Sequence, residues 1–456
     1  MPETFDLIAI GSGGGGSTGA HYASTVLKKK VAIVEKSTIG GECPNFACVP
    51  TKALLHAADL YETVLRARDY GIDTGRVTVD YAAVKRWKDL VVSRTDTQHG
   101  QQVFKSEHIK LIKGEARFLS PHEIIVGNEQ YKAHRFLIAT GSTVAVPPIL
   151  GLKEAGYITF QEAVDFEKLP ASIFILGGGP VGCEFAQIFS SFDVKVFVAD
   201  LLPRLLARED HEVSEFVEAL FQGKGLTILT NTAVAEVEKN HHEKIVHYTT
   251  NGQRHQATVE EILIAAGKIP ATNLDLEKAG VQYDKHGIGV NHFLQTSQPH
   301  IYAAGDVVGP YLFTHTAEYQ SYLAARNAFS YAKVKADYRV VPRCTFLSPE
   351  VASVGMTEEE AKEKKIPIKK GVTPIAVLGR ANTENTPDGF VKVLTDRNEV
   401  ILGAAVVSPR AGEVIHELAL AVKLRAKASD LASMIHAYPT YSEAVKIACG
   451  QLEEVK

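Results

Sequence analysis

The hydrophobic pattern of the chain contains the same succession of elements twice. Residues 5–10 form an apolar run typical of a buried strand, a glycine-rich turn follows, and the pattern then predicts a helix over residues 17–27 and a strand over 31–34. The succession recurs with an apolar run at residues 173–176, a second glycine-rich turn, a helix and a strand over 194–198. Each succession is typical of a βαβ unit, so the sequence predicts two nucleotide-binding units in one chain.

The segments between and after these units predict the domain organisation. Pro147 and Pro148 indicate a linker, and a strand-and-turn signal at residues 301–306 indicates that the chain returns to the first domain. Beyond residue 341 strands and helices mix, as in an α+β domain. We therefore expect an α/β protein with two Rossmann-like nucleotide-binding domains and a C-terminal α+β domain. The expected boundaries are 1–150 with 270–340 for the first domain, 151–269 for the second and 341–456 for the third.

Composition and charge exclude several classes of protein. The 456 residues are 45% hydrophobic and 22% charged, with a net charge of -4, which is ordinary for a globular protein and argues against a nucleic-acid partner. Lys28 to Lys30 is the longest basic run. The acidic start of the chain predicts no signal peptide, and no apolar stretch is long enough to predict a membrane span, so we expect a cytoplasmic protein without a membrane partner.

Both glycine-rich turns carry the spacing of a dinucleotide-binding fingerprint. The glycines would let backbone N–H groups at a helix N-terminus approach a pyrophosphate. Glu35 stands 19 residues after the first fingerprint and Asp200 stands 18 after the second, each positioned to bind ribose hydroxyls. The alternative is that these glycines only permit tight turns. The fingerprint glycines are Gly11, Gly13 and Gly16 in the first unit and Gly177, Gly179 and Gly182 in the second.

The acid of the second unit indicates which coenzyme binds there. A carboxylate at position 200 would repel a 2′-phosphate, so the sequence favours NADH over NADPH. Arg204 and Arg208 follow closely and are the residues that could supply a phosphate site instead.

Two of the five cysteines, Cys43 and Cys48, are five positions apart. In a regular helix that separation is roughly 8 to 9 Å at Cα, beyond the roughly 7 Å limit for a disulfide, so the pair requires a distorted helix start. We expect Pro44 at the first helical position after a non-helical Cys43, and Pro50 to disturb the helix further along. A helix N-terminus would favour thiolates. Alternatively the two cysteines are buried and inert. We expect the isolated Cys183, Cys344 and Cys449 to be buried or incidental.

Residues 40–52, GGECPNFACVPTK, resemble the redox signature of the pyridine nucleotide-disulfide oxidoreductases. These flavoenzymes include dihydrolipoamide dehydrogenase, glutathione reductase and mercuric reductase. Further motifs occur in the family's order over essentially the whole chain. They are Ala139-Thr140-Gly141, Ala265-Ala266-Gly267, Ala304-Gly305-Asp306 and Pro342-Arg343 with residues 348–355.

The resemblance implies a role for each motif. FAD would bind the first fingerprint, with Glu35 on its ribose, Asp306 on its ribityl chain, and Thr140, Gly141, Gly267 and Gly305 among the cofactor-binding residues. NADH or NADPH would bind the second fingerprint. Cys48 would face the flavin and Cys43 would meet the substrate. Lys52 would lie near the flavin, paired with Glu184, unless the two form an ordinary surface pair. Residues 314–318 resemble the start of a helix directed at the flavin, in which we expect His315 to be structural.

The chain departs from the family pattern near its end. Disulfide-reducing members carry a histidine before Pro-Thr, which would enter the active site of a partner subunit in a homodimer with shared sites. Here Tyr438 takes that position, although Glu443, which would orient the base, is present. A phenol with an ordinary pKa near 10 is a poor base at neutral pH. His436 could compensate, but we favour a packing role for it.

Tyr438 resembles the residue of mercuric reductase, but only Cys449 is present where that enzyme has adjacent cysteines, and we expect no metal site. The leading expectation is an FAD-dependent NAD(P)H oxidoreductase that acts on a small-molecule acceptor, disulfide-like or a soft metal or electrophile. The alternatives are a dihydrolipoamide dehydrogenase and a redox sensor that binds FAD and NADH but turns over slowly.

Overall fold

The computed structural model describes residues 2–95 and 100–455 and places the first glycine fingerprint on a seven-stranded sheet. The strand Glu3–Ile10 is central, pairs in parallel with strands on both sides, and is buried from Leu7 onward. Strands buried on both faces read as continuous apolar runs, which is why this segment was recognisable from sequence. In spatial order the strands are Ile109–Lys113, Val31–Glu35, Glu3–Ile10, Glu129–Ile138, Glu123–Val126 and Ala116–Ser120, and Ile301–Ala303 also pairs with Glu129–Ile138.

Helices cover this sheet and carry the residues of interest. The helix predicted over residues 17–27 begins earlier, as Gly14–His21, and ends as a π-helical turn, Tyr22–Val26. Late in the chain, Ile301–Ala303 pairs in parallel with Glu129–Ile138 of the first sheet. The other helical segments associated with this sheet are Glu42–Asn45, Cys48–Leu65, Ala67–Tyr70, Tyr81–Thr95, Gly100–Ser106, Leu276–Ala279 and Thr314–Ala328.

The second fingerprint lies on a separate four-stranded parallel sheet. Its strands are, in spatial order, Thr227–Leu229, Lys195–Ala199, Ser172–Leu176 and Glu261–Ile264. Its helices are Leu152–Ala155, Phe160–Ala163, Pro180–Ser191 and His211–Gly223. Thr232–Asn240, Glu243–Thr250 and Gln253–Val259 form an antiparallel sheet beside it. The chain passes between the two units twice, and at these two places the short strands Ser142–Val144 and Lys268–Pro270 form an antiparallel pair. A further short pair is formed by Tyr283–Asp284 and Gly287–Ile288.

The C-terminal region forms a six-stranded antiparallel sheet with helices packed on it. Its strands are, in spatial order, Arg343–Thr345, Glu350–Gly355, Ile401–Ser408, Phe390–Thr395, Lys369–Pro374 and Glu453–Glu454. Its helical segments are Glu358–Glu363, Ile375–Val377, Gly379–Glu384, Ala411–Leu424, Ala428–Ser433 and Glu443–Cys449. The predicted fold class, two nucleotide-binding α/β units and a C-terminal α+β unit, is confirmed; the exact boundaries stay predictions. Among the described residues, each helix is too short or too polar to cross a bilayer.

Candidate active site

The first fingerprint is shaped by backbone approaches that leave no room for a side chain. Gly11 has φ +106, and a Cβ on Gly16 would lie 1.8 Å from the carbonyl oxygen of Gly11. Gly13 is the N-cap of the helix Gly14–His21, so the N–H groups of its first turn face the space above the sheet. At the next strand end, the Glu35 carboxylate accepts hydrogen bonds from the N–H and the hydroxyl of Ser12, at 2.9 and 2.7 Å. Loop and acid are thus held together, as ribose binding requires.

A cavity of about 1590 Å³ opens at the carboxyl ends of these strands. Ligands of open α/β sheets bind at this edge of the sheet. The cavity brings together predicted site residues that lie far apart in sequence. The predicted residues that line it are Gly11, Gly13, Glu35, Cys43, Cys48, Lys52, Thr140, Gly141, Glu184, Gly305 and Asp306. The structure does not place Gly16, Gly177, Gly179, Gly182, Asp200, Gly267, Tyr438 or Glu443 on its wall.

The polar groups on the cavity wall fit FAD. Thr316 is buried and, among the described residues, its hydroxyl has no hydrogen-bond partner, so it is available to a bound ligand. It lies in the first turn of the helix Thr314–Ala328, whose positive end faces the cavity. Asp306 accepts a hydrogen bond from the hydroxyl of Ser142 at 2.6 Å, and Lys268 lies 3.7 Å from it. The glycine-rich turn, the Glu35 carboxylate at the end of one strand and the Asp306 carboxylate further along the wall are the groups that a bound dinucleotide would need.

The two cysteines lie on either side of a helix break. Cys43 is in the short helix Glu42–Asn45, and Cys48 is the first residue of the helix Cys48–Leu65. The expected position of Pro44 was therefore wrong by two residues, because the helix begins at Glu42. Pro50 was also misjudged: it lies in the first turn, where a missing N–H breaks no helical hydrogen bond. The distortion comes instead from Ala47, which has φ -121 and ψ -95.

The surroundings of the two sulfurs, both free thiols in the structure, give them opposite protonation preferences. A hydrogen bond from the Cys43 thiol, with help from the Thr314 hydroxyl at 3.7 Å and the Lys52 ammonium, lowers the pKa of Cys48 to about 6 despite burial. The same hydrogen bond, together with burial, raises the pKa of Cys43 above its ordinary value. Cys48 is therefore the thiolate of the pair at neutral pH, and Cys43 holds the shared proton.

Lys52 and Glu184 form an ion pair on the cavity wall and not on the outer surface. The Lys52 ammonium donates to both carboxylate oxygens, at 2.8 and 2.9 Å, and lies 4.7 Å from the centre of the Phe346 ring. Glu184 is buried and accepts a further hydrogen bond from the Phe346 N–H at 3.0 Å. The pair links the helix of Cys48 to the helix of the second fingerprint.

The second fingerprint has the same geometry as the first. A Cβ on Gly182 would lie 1.9 Å from the carbonyl oxygen of Gly177, and Gly179 is the N-cap of the helix Pro180–Ser191. Asp200 accepts hydrogen bonds from the N–H groups of Gly178 at 2.6 Å and Leu202 at 2.8 Å. Gly267, with φ +111, follows the neighbouring strand.

The two arginines near Asp200 differ in their surroundings. Arg204 forms an ion pair with Glu359 at 2.5 Å and donates to the carbonyl oxygens of Ala207 and Glu209. Arg208 is exposed. Arg204 is therefore already neutralised by a residue of the chain.

The C-terminal motif lies outside the cavity of its own chain. Tyr438 is 77% exposed, and Glu443 accepts a hydrogen bond from the N–H of Thr440 at 3.1 Å. The side chain of His436 is 4% exposed and bonds Glu417 at 3.0 Å, an arrangement typical of a packing role.

Sequence reasoning missed several residues of the cavity wall. Cys344, expected to be incidental, lines the cavity, and burial raises its pKa. Lys268 pairs with Glu42, the neighbour of Cys43. His315 bonds the carbonyl oxygen of Pro342 at 2.9 Å, and burial lowers its pKa. Lys268 and Cys344 sit beside quoted motifs, which was the available signal. Within the described ranges, no three His, Cys, Asp or Glu side chains gather as metal ligands would.

Two dinucleotide folds, and a thiol pair at a helix N-terminus on the wall of the cavity beside the first fold, define a flavin-linked thiol oxidoreductase. The family model "Pyridine nucleotide-disulphide oxidoreductase" matches residues 5–329, and the model of its dimerisation domain matches residues 341–449. The chain belongs to this family. It is therefore a flavoenzyme, and the family implies FAD and a pyridine nucleotide as cofactors and a homodimer as the assembly.

Several characterised proteins are similar to this one over almost the whole chain. The mercuric reductase of Bacillus cereus is 35% identical over 97% of this chain and 71% of its own length. The dihydrolipoyl dehydrogenase of Thermus scotoductus is 36% identical over 99% of this chain and 98% of its own. Among solved structures, the HOCl-induced flavoprotein disulfide reductase RclA of Escherichia coli is 28% identical with a TM-score of 0.87, over 98% of this chain and 99% of that chain.

Proposed function

We propose that the chain transfers electrons from NADH through FAD to the cysteines Cys43 and Cys48, and from them to a small acceptor that is disulfide-like or a soft metal ion held by thiolates. The observation that carries the proposal is the thiol pair itself, with a low-pKa Cys48 hydrogen-bonded by Cys43 in the cavity that fits FAD. FAD, when bound, supplies two-electron exchange with the pyridine nucleotide. The similarity to mercuric reductases and the tyrosine at position 438 support a mercuric reductase-like acceptor.

Different residues would stabilise charge, bind the two nucleotides and react with the acceptor. Lys52 and Glu184 keep a cation at the cavity wall beside the thiol pair, which stabilises negative charge there. Glu35 and Asp306 position the dinucleotide, and Asp200 does the same for the coenzyme. The acceptor step belongs to Cys43. As its thiol gives up its proton, its sulfur attacks one sulfur of a disulfide, the S–S bond breaks, and the thiolate that leaves takes up that proton. Cys48 then attacks Cys43, which releases the second thiolate and re-forms the cysteine disulfide.

A comparison of acceptors tests the proposal. Steady-state oxidation of NADH would be measured with Hg(II) in excess thiol, lipoamide, glutathione disulfide, a quinone and oxygen. Fast turnover with Hg(II) or with glutathione disulfide, lost in Cys43→Ser, supports it. Fast turnover of lipoamide alone would identify a dihydrolipoamide dehydrogenase, the alternative that the 36% identity to the Thermus enzyme favours. Slow turnover with every acceptor, with both nucleotides bound, would contradict the proposal in favour of a redox sensor.

The coenzyme preference is a separate prediction. We expect a higher kcat/KM for NADH than for NADPH, because a 2′-phosphate would meet the Asp200 carboxylate and Arg204 is already paired with Glu359. Like-charge contact at such a site disfavours the wrong ligand by several kcal/mol, so roughly a 100-fold preference is expected. Asp200→Asn should reduce the ratio of kcat/KM for NADH to kcat/KM for NADPH. A higher kcat/KM for NADPH would show that the exposed Arg208 determines the choice.

A further inference from the structure

Lys392 is the most deeply buried cation of the described chain, and no step of the proposed reaction uses it. Its side chain is 0% exposed on the strand Phe390–Thr395 of the dimerisation domain. Its ammonium lies 2.7 Å from Glu358, 2.9 Å from Glu212 and 3.5 Å from Asp210. A lysine is almost never fully buried unless it is paired, so this position is defined by its three carboxylates.

Two of these carboxylates come from the second nucleotide-binding unit. Asp210 is the N-cap residue of the helix His211–Gly223 and Glu212 lies in its first turn, whereas Glu358 belongs to the dimerisation domain. The Asp210 carboxylate also accepts a hydrogen bond from the Glu358 N–H at 2.8 Å, across the same boundary. Burial raises the pKa of Asp210, which shows how unfavourable this carboxylate would be without a cation beside it.

Further polar pairs beside Lys392 connect the same two units, the second nucleotide-binding unit and the dimerisation domain. Arg343 of the dimerisation domain donates to Glu209 at 3.0 Å, and the Ser353 hydroxyl also donates to Glu209. Arg204 reaches Glu359 at 2.5 Å. Residues 204–212 of the nucleotide-binding unit are thus held by four side chains of the dimerisation domain, which we call the clamp: Arg343, Ser353, Glu359 and Lys392.

The clamped segment begins beside the coenzyme-binding residues. The loop that follows Asp200 returns to the second fingerprint, where the Leu206 N–H donates to the carbonyl oxygen of Gly178 at 2.9 Å. Gly178 in turn donates to Asp200 at 2.6 Å. The Glu209 N–H donates to the carbonyl oxygen of Leu206 at 2.8 Å, so Glu209, which the clamp holds, lies only three positions after the residue that contacts the fingerprint.

We propose that Lys392 is a positioning residue for the pyridine nucleotide: by holding Asp210 and Glu212, it fixes the loop between Asp200 and the helix His211–Gly223 and so sets the affinity for the coenzyme. The proposal rests on the proposed role of Asp200 in coenzyme binding. It adds that the dimerisation domain, remote from the second fingerprint in sequence, contributes to coenzyme binding.

Binding of NADH to the FAD-loaded homodimer tests the proposal. Lys392→Met leaves Asp210 and Glu358 without their buried cation, so the loop is expected to shift and the Kd for NADH to rise on the order of ten-fold or more. The kcat at saturating NADH and the reduction of the enzyme by dithionite should change little, because neither depends on coenzyme affinity. Lys392→Arg, which keeps the charge, should recover most of the affinity.

Two further variants separate positioning from general stability. Lys369→Met removes a partly exposed ion pair with Glu399, at 2.9 Å, from the adjacent strand of the same sheet and should leave the Kd for NADH unchanged. Glu359→Gln opens the clamp at its exposed edge, where folding is not at risk, and should weaken NADH binding by a smaller factor. If Lys392→Met does not fold, Glu359→Gln decides the question.

The proposal is overturned if folded Lys392→Met and Glu359→Gln both bind NADH as the unmodified protein does. It is also overturned if Lys369→Met weakens binding equally, or if the melting temperature falls in Lys392→Met with an unchanged Kd. A failure of the proposed function would give different results. The unmodified protein would bind neither NADH nor NADPH, or Asp200→Ala would leave the Kd for NADH unchanged.

Discussion

Cys43→Ser is expected to abolish turnover of disulfide acceptors while the reduced enzyme keeps a long-wavelength charge-transfer absorption between the Cys48 thiolate and FAD. Cys48→Ser should lose that absorption. The reason is that the two sulfurs differ in protonation. The pKa of Cys48 is lowered to about 6, so Cys48 is the thiolate, whereas the raised pKa of Cys43 keeps its thiol protonated. Removing a nucleophile is among the largest single effects in catalysis, so we expect a loss of at least about 10³-fold in kcat for Cys43→Ser.

The pH dependence of this absorption follows from the direction of the pKa shift. Because the pKa of Cys48 is lowered, the thiolate is present at neutral pH and is lost as the pH falls through about 6. Absorption spectra of the reduced enzyme between pH 4.5 and 9 would show this. In Cys43→Ser the serine hydroxyl replaces the thiol as hydrogen-bond donor, so the midpoint should move only modestly.

A matched control is Cys183→Ser, since Cys183 is buried next to the second fingerprint and, unlike Cys43 and Cys48, does not line the cavity. It should alter neither the absorption nor acceptor turnover. If Cys48→Ser shows the same absorption as the unmodified enzyme, Cys48 does not face the flavin. If Cys43→Ser loses the absorption and Cys48→Ser keeps it, the two roles are reversed.

Local patterns were sufficient to predict the fold. The strands of the two nucleotide units are buried on both faces, and both fingerprints require glycines at fixed positions, such as Gly11 with φ +106. Such requirements are visible in the residue types alone. The pairing of residues 301–303 with the first sheet also had a sequence signal, because residues 301–306 carry a strand-and-turn pattern.

Residues whose role depends on distant partners were not predictable in the same way. The helix break between the cysteines was expected from Pro44 and Pro50, but Ala47 carries the irregular backbone, and alanine has no sequence signal for such a conformation. Lys392 is one lysine among many in the sequence; only the packing of two domains surrounds it with three carboxylates. Cys344 became a cavity residue for the same reason.

Tyr438→His is expected to raise turnover of a disulfide such as lipoamide. In the acceptor step a thiolate leaves when Cys43 attacks, and it leaves more easily when an acid protonates it. Imidazolium can act as that acid near pH 7, whereas a phenol with an ordinary pKa near 10 does so poorly. The raised pKa of Cys43 makes a nearby base equally useful for forming its thiolate.

The position of Tyr438 makes the substitution practicable. The side chain is 77% exposed in its own chain, so it is available to the cavity of a partner subunit in the homodimer, and a smaller imidazole creates no clash. Glu443, the residue expected to orient the base, is unchanged in this variant. His436 cannot substitute, because it is buried against Glu417. General acid catalysis is typically worth about 10² to 10⁴ in rate, so even partial recovery would be measurable.

Two variants complete the test. Tyr331→His places an imidazole at another exposed tyrosine and should leave lipoamide turnover unchanged. Adding Glu443→Gln to Tyr438→His should remove part of the gain, because the imidazole would lose the carboxylate expected to orient it. Lipoamide turnover in Tyr438→His no higher than in the unmodified enzyme, with FAD content and dimerisation intact, would contradict the loss of a base as the explanation. The acceptor would then be selected by the shape that Tyr438 gives to the partner's cavity, and Tyr438→Phe should in that case retain turnover of the true acceptor.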